Sequence, residues 1–233
     1  MYDILLYVSA FLLLPAIIYS IYVSFKVNGV YRQYAQIHAQ SGMTAYEVTR
    51  RMLKNAGLSD VKIDRVRGSL TDRYNPKNNT IFVSDSVFSS TSVAAIGVAA
   101  HETGHAIQYN TNYLPVKLRT SMVPIVNIGS RLSIPLIILG LILGLTSELG
   151  MYIIYIGIAF YAFSAIFMLV TLPVEFNASR RAKKILVETN ILTESEAAMA
   201  SKVLNVAAQT YVASFVVSLL FLLRLFAIFG RRR

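Results

Sequence analysis

The hydropathy pattern divides the chain into four long apolar stretches separated by polar ones. Residues 4 to 25 carry no charge and are long enough to span a bilayer core of about 30 Å. They read as a retained anchor, kinked at Pro15. The stretch is too long and too tyrosine-rich for a signal peptide, and it lacks both a basic leader and a small-residue cleavage site. Leu132 to Thr146 and Leu149 to Leu172 are the second and third stretches, joined by the turn from Ser147 to Gly150. The second is short and contains Pro135, which predicts tilt or local bilayer thinning. Tyr211 to Gly230 is the fourth, interrupted by Arg224.

The polar stretches carry their own periodicities. Thr44 and Glu47 form a capping box ahead of a helix to about Asn55, closed by Gly57. Val61 to Val66 alternates like a strand, Tyr74 to Asn79 reads as a turn around Pro76, and Thr80 to Ser84 as a second strand. That second strand is either an edge able to pair with an extended peptide or an ordinary sheet strand that binds nothing. It leads into Val93 to Tyr109, apolar nearly throughout, free of proline and preceded by the N-cap candidates Ser90, Thr91 and Ser92. Lys183 to Gln209 reads as helical, with Thr193 and Glu196 as a second capping box.

The resulting division is 1–25 as anchor, 26–131 as a polar segment containing the helix 93–109, 132–172 as a hairpin, 173–209 as a helical segment, and 210–233 as an apolar helix with a basic tail. Composition agrees with a membrane chain: 55% of the 233 residues are hydrophobic and 15% charged, with a mean hydropathy of +0.54. There is no cysteine, so disulfides and thiolate metal sites are excluded. The net charge of +10 sits at the ends of apolar segments, without a basic patch interleaved with aromatics. It reads as orientation signal and lipid-headgroup contact, and nucleic acid is excluded as a partner. The positive-inside rule puts 26–131 and both flanks of the hairpin in the cytoplasm and the amino terminus outside. Simple alternation then puts Arg231, Arg232 and Arg233 outside, against the same rule.

The candidate chemistry lies in the helix 93–109, which contains H-E-x-x-H as His101, Glu102 and His105. Residues four apart share a helix face, so the two imidazoles converge. A zinc ion there would have two nitrogen ligands and room for a third ligand and a water, whose pKa it lowers to about 7. Glu102 is placed to take that water's proton. Two imidazoles and an acid in so apolar a helix call for a partner, and a metal supplies one.

The third ligand must come from elsewhere, because a histidine six residues after His105 is replaced by Thr111. His38 and several carboxylates are candidates. Glu148 falls on the opposite side of the membrane, and Glu47, Glu188, Glu194 and Glu196 sit in cap or surface patterns. Glu175 directly follows the third apolar stretch, where the returning hairpin could deliver it to the metal. Ala178, Ser179 and Ala182 share its helix face; the alanines permit close approach, and Ser179 could hydrogen-bond a ligand. Arg180 and Arg181 point away from that face, toward lipid.

The stretches DRYNPKNNTIFVSD, SVAAIGVAAHETGHAIQ and LPVEFNASRRA together resemble the YugP-like family of membrane-bound neutral zinc metallopeptidases. More distantly they are similar to the HtpX and CAAX prenyl protease gluzincins, whose third ligand lies in an E-F/Y-x-A-D element after a membrane hairpin. Glu175, Phe176 and Ala178 match that element, and Ser179 stands where the distant group has aspartate. The YugP-like pattern carries histidine at the position of Arg73.

The resemblance implies a mainly α integral membrane protein: about four transmembrane helices plus a small α+β zincin-like metallopeptidase domain with a short sheet. It implies one Zn2+ per chain on His101, His105 and Glu175, with Glu102 catalytic, in a multi-pass protein of a bacterial plasma membrane with its site on the cytoplasmic side. The expected partners are a protein or peptide substrate, membrane lipids, and further copies or other membrane proteins. Two other classes share these ligands: a zinc-bearing membrane scaffold that turns over no peptide, and a hydrolase of lipid-linked substrates.

Overall fold

The computed structural model describes residues 2–230, so the basic tail from Arg231 to Arg233 lies outside the described residues. The chain is mostly helical, in the order α1 (Tyr2–Tyr34), α2 (Ala45–Asn55), β1 (Lys62–Val66), β2 (Arg73–Asn75), β3 (Thr80–Ser84), α3 (Asp85–Phe88), α4 (Val93–Asn110), α5 (Leu114–Ile142), α6 (Glu148–Glu188) and α7 (Glu194–Phe229). Helices α1, α5, α6 and α7 are long and apolar enough to cross a membrane. Each outruns the apolar stretch that announced it: α5 begins 18 residues before Leu132, and α6 continues to Glu188. Pro15, Pro124, Pro135 and Pro173 all lie inside helices.

The contacts form two compact units. One contains the chain up to Tyr22, Lys117–Leu172 and Thr210 onward. Its buried centre is made by Ile137, Ile154, Ile158, Leu225 and Phe229, and the Ser133 hydroxyl donates to the Gly157 carbonyl across α5 and α6 at 2.9 Å. Many of its leucines and isoleucines face outward, as a lipid-facing surface requires.

The other unit, Val23–Val116 with Pro173–Gln209, holds the sheet and α4. Its core gathers Val48 and Met52 of α2, Ile81 and Val83 of β3, much of α4, Leu186 of α6 and Val203 of α7. The capping box of α2 is present, with Glu47 N–H donating to Thr44 Oγ1 and Thr44 N–H to Glu47. The box at α7 forms in the same way between Thr193 and Glu196. Glu196 also accepts from Gln40 N–H at 2.7 Å, tying the loop before α2 to the start of α7.

The three strands run in the order β1-β3-β2, with β1 parallel and β2 antiparallel to β3. This corrects one expectation and decides between two others. Residues Arg73 to Asn75 form a strand, so the turn around Pro76 begins only after it. Strand β3 is central and paired on both sides, so it cannot accept another strand; the edges are β1 and β2. Its near-complete burial, with Ile81 and Val83 fully enclosed, is the consequence of that central place.

Candidate metal centre

Helix α4 begins where its sequence provides a cap, the Ser92 side chain accepting from Ala95 N–H at 3.2 Å. It is packed closely enough for its glycines to matter. A Cβ on Gly104 would stand 2.6 Å from the Ala178 carbonyl oxygen, so α4 touches the backbone of α6 there. A Cβ on Gly97 would meet Ala200 Cβ of α7 at 3.0 Å. Ala178 and Ala182 are both fully buried, in keeping with the small-residue face expected of α6.

This approach carries Glu175 onto the two histidines. Glu175 Oε2 lies 3.3 Å from His101 Nε2 and 3.6 Å from His105 Nε2, and the two rings meet edge to face with centroids 4.7 Å apart. The corners of a tetrahedron whose centre lies roughly 2.0 Å from each are roughly 3.3 Å apart, the size of a zinc site. One ligand atom from each residue lies within 4.8 Å of the others, so this group could hold a metal ion. Among the described residues no other group of three or more such side chains does so. Glu175 and His105 are buried and His101 is nearly so.

The opposite edge of each ring is held. Gln108 Nε2 donates to the Val174 carbonyl at 2.8 Å and to Asn177 Oδ1 at 3.0 Å, which turns its Oε1 toward His105 Nδ1 at 3.0 Å. His105 Nδ1 must therefore carry a hydrogen, which leaves Nε2 as the ring atom on the side of Glu175 and the one available to a metal. Ser179 Oγ lies 3.0 Å from His101 Nδ1 and can accept its hydrogen in the same way. Arg181 extends the chain, its Nε donating to Asn177 Oδ1 at 2.8 Å while its guanidinium lies over the Tyr113 ring at 5.8 Å. Arg181 thus faces protein rather than lipid; a helix-angle argument measured from Glu175 alone missed the turn of α6 that Asn177 occupies. Burial opposes charge on His105, but the Glu175 carboxylate beside it and the nearby Glu102 prevail and raise its pKa.

Glu102 points elsewhere, its Oε2 accepting the backbone N–H of Tyr74 at 2.9 Å. That amide belongs to the outer edge of β2, pinned at its start by Asp72, which accepts from Ser84 N–H and Oγ at 2.8 Å each. Burial of Asp72 pushes its carboxyl above the usual range despite those bonds. Arg73 stacks on the Phe82 ring at 4.7 Å and is exposed, so its side chain is engaged with the sheet. His38 is not part of the cluster; its Nδ1 lies 2.7 Å from Thr91 Oγ1.

A family model described as "Putative neutral zinc metallopeptidase" matches residues 9–230. The chain belongs to this zinc metallopeptidase family. Its curated relatives include the "Putative membrane protease YugP" of Bacillus subtilis strain 168, 41% identical over 219 residues, which are 94% of this chain and 95% of that one. No solved structure matches. Family membership brings zinc, a peptidase class and a membrane setting to a chain whose described residues include four apolar helices and one group of side chains suited to a metal.

Two parts of the site were absent from the sequence reading. Gln108 lies three residues after His105 on the same helix face, a spacing that could have flagged it. The Tyr74 amide is a backbone group and carries no signature at all.

Proposed function

We infer that this chain is a membrane-embedded zinc metalloendopeptidase of the gluzincin type, its sheet-bearing unit forming a zincin-like domain. His101, His105 and Glu175 hold one zinc ion, and Glu102 is the catalytic acid-base residue. The observation that carries this reading is the convergence of two Nε2 atoms on a buried carboxylate, with both Nδ1 atoms already committed to Ser179 and Gln108. Zinc bound there supplies Lewis acidity toward a water and a carbonyl oxygen.

The protein's own residues account for the rest. Gln108 fixes the Nδ1–H tautomer of His105, and Ser179 can accept the Nδ1 hydrogen of His101, so both rings are oriented with Nε2 toward the metal position. Glu102 takes the proton of the attacking water and returns it to the amine nitrogen as the C–N bond breaks. Tyr74 N–H holds one oxygen of Glu102 and leaves the other for that transfer. The outer edge of β2 leaves the Tyr74 carbonyl beside Glu102, where the N–H of an extended peptide could pair and bring the next carbonyl to the site.

The expected setting is a bacterial plasma membrane, with the chain crossing it several times and the site on the cytoplasmic side. We retain the division at residues 25, 131, 172 and 209 for the anchor, the site-bearing segment, the hairpin, the Glu175 segment and the final helix. Glu102→Gln tests the mechanism. Zinc-loaded wild type in detergent is expected to cleave unfolded protein substrates, and the variant is expected to keep its zinc and lose cleavage. Equal cleavage by the two would refute the role of Glu102; bound zinc without cleavage in either would favour a scaffold.

A further inference from the structure

A cleft of about 310 Å³ opens beside the Glu102 end of the site, between α4, the end of β2 and the segment after α2. Its walls are the rings of Tyr74 and Tyr109, tilted at 60° with centroids 5.4 Å apart. Its polar side is an ordered chain: Tyr74 Oη donates to Asn79 Oδ1 at 2.9 Å, and Asn79 Nδ2 donates to Asp60 Oδ2 at 2.8 Å. Asn79 thus holds Asp60 in place through one oxygen and leaves Oδ1 for a ligand.

The charge of this lining is unlike that of the chain. Lysine and arginine number 22 against 12 acids overall, yet the cleft is lined by one carboxylate and no lysine, arginine or histidine. A carboxylate and two aromatic rings around one space attract a cation, through the charge and through the negative ring faces. The open cleft has room for a single long side chain.

Its position ties it to the reaction. The residue whose amide holds Glu102, Tyr74, also forms the cleft wall, and Ala106, one helical turn after Glu102, forms its floor. We propose that this cleft is a substrate subsite that selects a lysine or arginine side chain next to the scissile bond, with Asp60 as the residue that determines the choice. The proposal rests on the peptidase reading of the same centre.

The test is binding, so that it does not depend on turnover. Zinc-loaded, full-length Glu102→Gln protein in detergent would be titrated with fluorescein-labelled alanine-rich decapeptides that differ at one scanned position, carrying lysine, norleucine or glutamate. At one register the lysine peptide is expected to bind about tenfold tighter than the norleucine peptide, and the glutamate peptide weaker than both. With Asp60→Asn added, the lysine preference should fall below about twofold; with Asp60→Lys it should invert toward glutamate. Equal binding of lysine and norleucine at every register by the Glu102→Gln protein would overturn the proposal, whatever the Asp60 variants do. So would a lysine preference that survives Asp60→Lys. A lysine preference without any hydrolysis by wild type would leave the subsite standing and remove the peptidase reading, while hydrolysis without preference would do the reverse.

Discussion

Replacing Gly104 with alanine probes the close approach of α4 to α6 that brings Glu175 to the histidines. The new Cβ would stand 2.6 Å from the Ala178 carbonyl oxygen and 3.2 Å from its carbon. A carbon and a carbonyl oxygen need about 3.3 Å, so the helices must part by roughly 0.7 Å. Overpacking of this kind costs about 1 to 3 kcal/mol, and the gain in helix propensity from glycine to alanine offsets about 1 kcal/mol of it. The net destabilisation is therefore at most about 2 kcal/mol. The larger effect falls on the metal, because Glu175 lies on α6 only three residues before Ala178 and moves with it. Loss of a metal ligand's supporting contacts lowers affinity by about 10- to 100-fold, and a loss of that order is expected when α6 is pushed off α4. Competition of the full-length protein with a chromophoric zinc chelator would measure this, beside thermal melting. Gly97→Ala is the control, since its Cβ presses on the Ala200 side chain, seven residues before Gly104. It should lower the melting temperature while holding zinc within a few-fold. Zinc affinity of Gly104→Ala within twofold of wild type would refute the reasoning.

Two further outcomes follow from the same geometry. Gln108→Ala removes the acceptor that fixes His105 Nδ1–H and should weaken zinc by about 10- to 100-fold; Gln108→Glu, which keeps an acceptor there, should retain most of the affinity in the same chelator competition. Zinc binding should also fall with acidity from a pH above the ordinary imidazole value of 6.5, because the pKa of His105 is raised and the proton competes for Nε2. In the metal-free protein the sign reverses: the stability contributed by protonated His105 is complete below about pH 6.5 and is lost as pH rises through the raised value. Melting of metal-free and zinc-loaded protein across pH 5 to 8 should therefore give opposite slopes near neutrality.

Much of the site was legible because side-chain spacing along a helix is a physical distance. His101 and His105 could be placed on one face from their numbers alone, and the small-residue face of Ala178 and Ala182 announced the close approach that puts Ser179 on His101. The four apolar helices were visible for the same reason, as uncharged runs of spanning length. What stayed hidden depends on which segments become neighbours. The apolar run Ile81, Phe82 and Val83 marks a strand but not its neighbours, so the central place of β3 between β1 and β2 was not visible. Strand β2 has three residues, too few for any period to show. The chain from His105 through Gln108 and Asn177 to Arg181 joins residues separated by more than 60 positions, and only the packing of α6 on α4 creates it. Similarly, Asp60 and Asn79 flank the cleft beside Tyr109 through tertiary contacts that no local pattern records.

The central claim is that His101, His105 and Glu175 share one zinc ion. Elemental analysis of the full-length protein purified in detergent, beside His101→Ala and Glu175→Ala, tests it most directly. About one zinc per wild-type chain, lost in both variants, is the predicted result. Zinc retained by Glu175→Ala but lost from His101→Ala would contradict the account and move the third ligand away from α6.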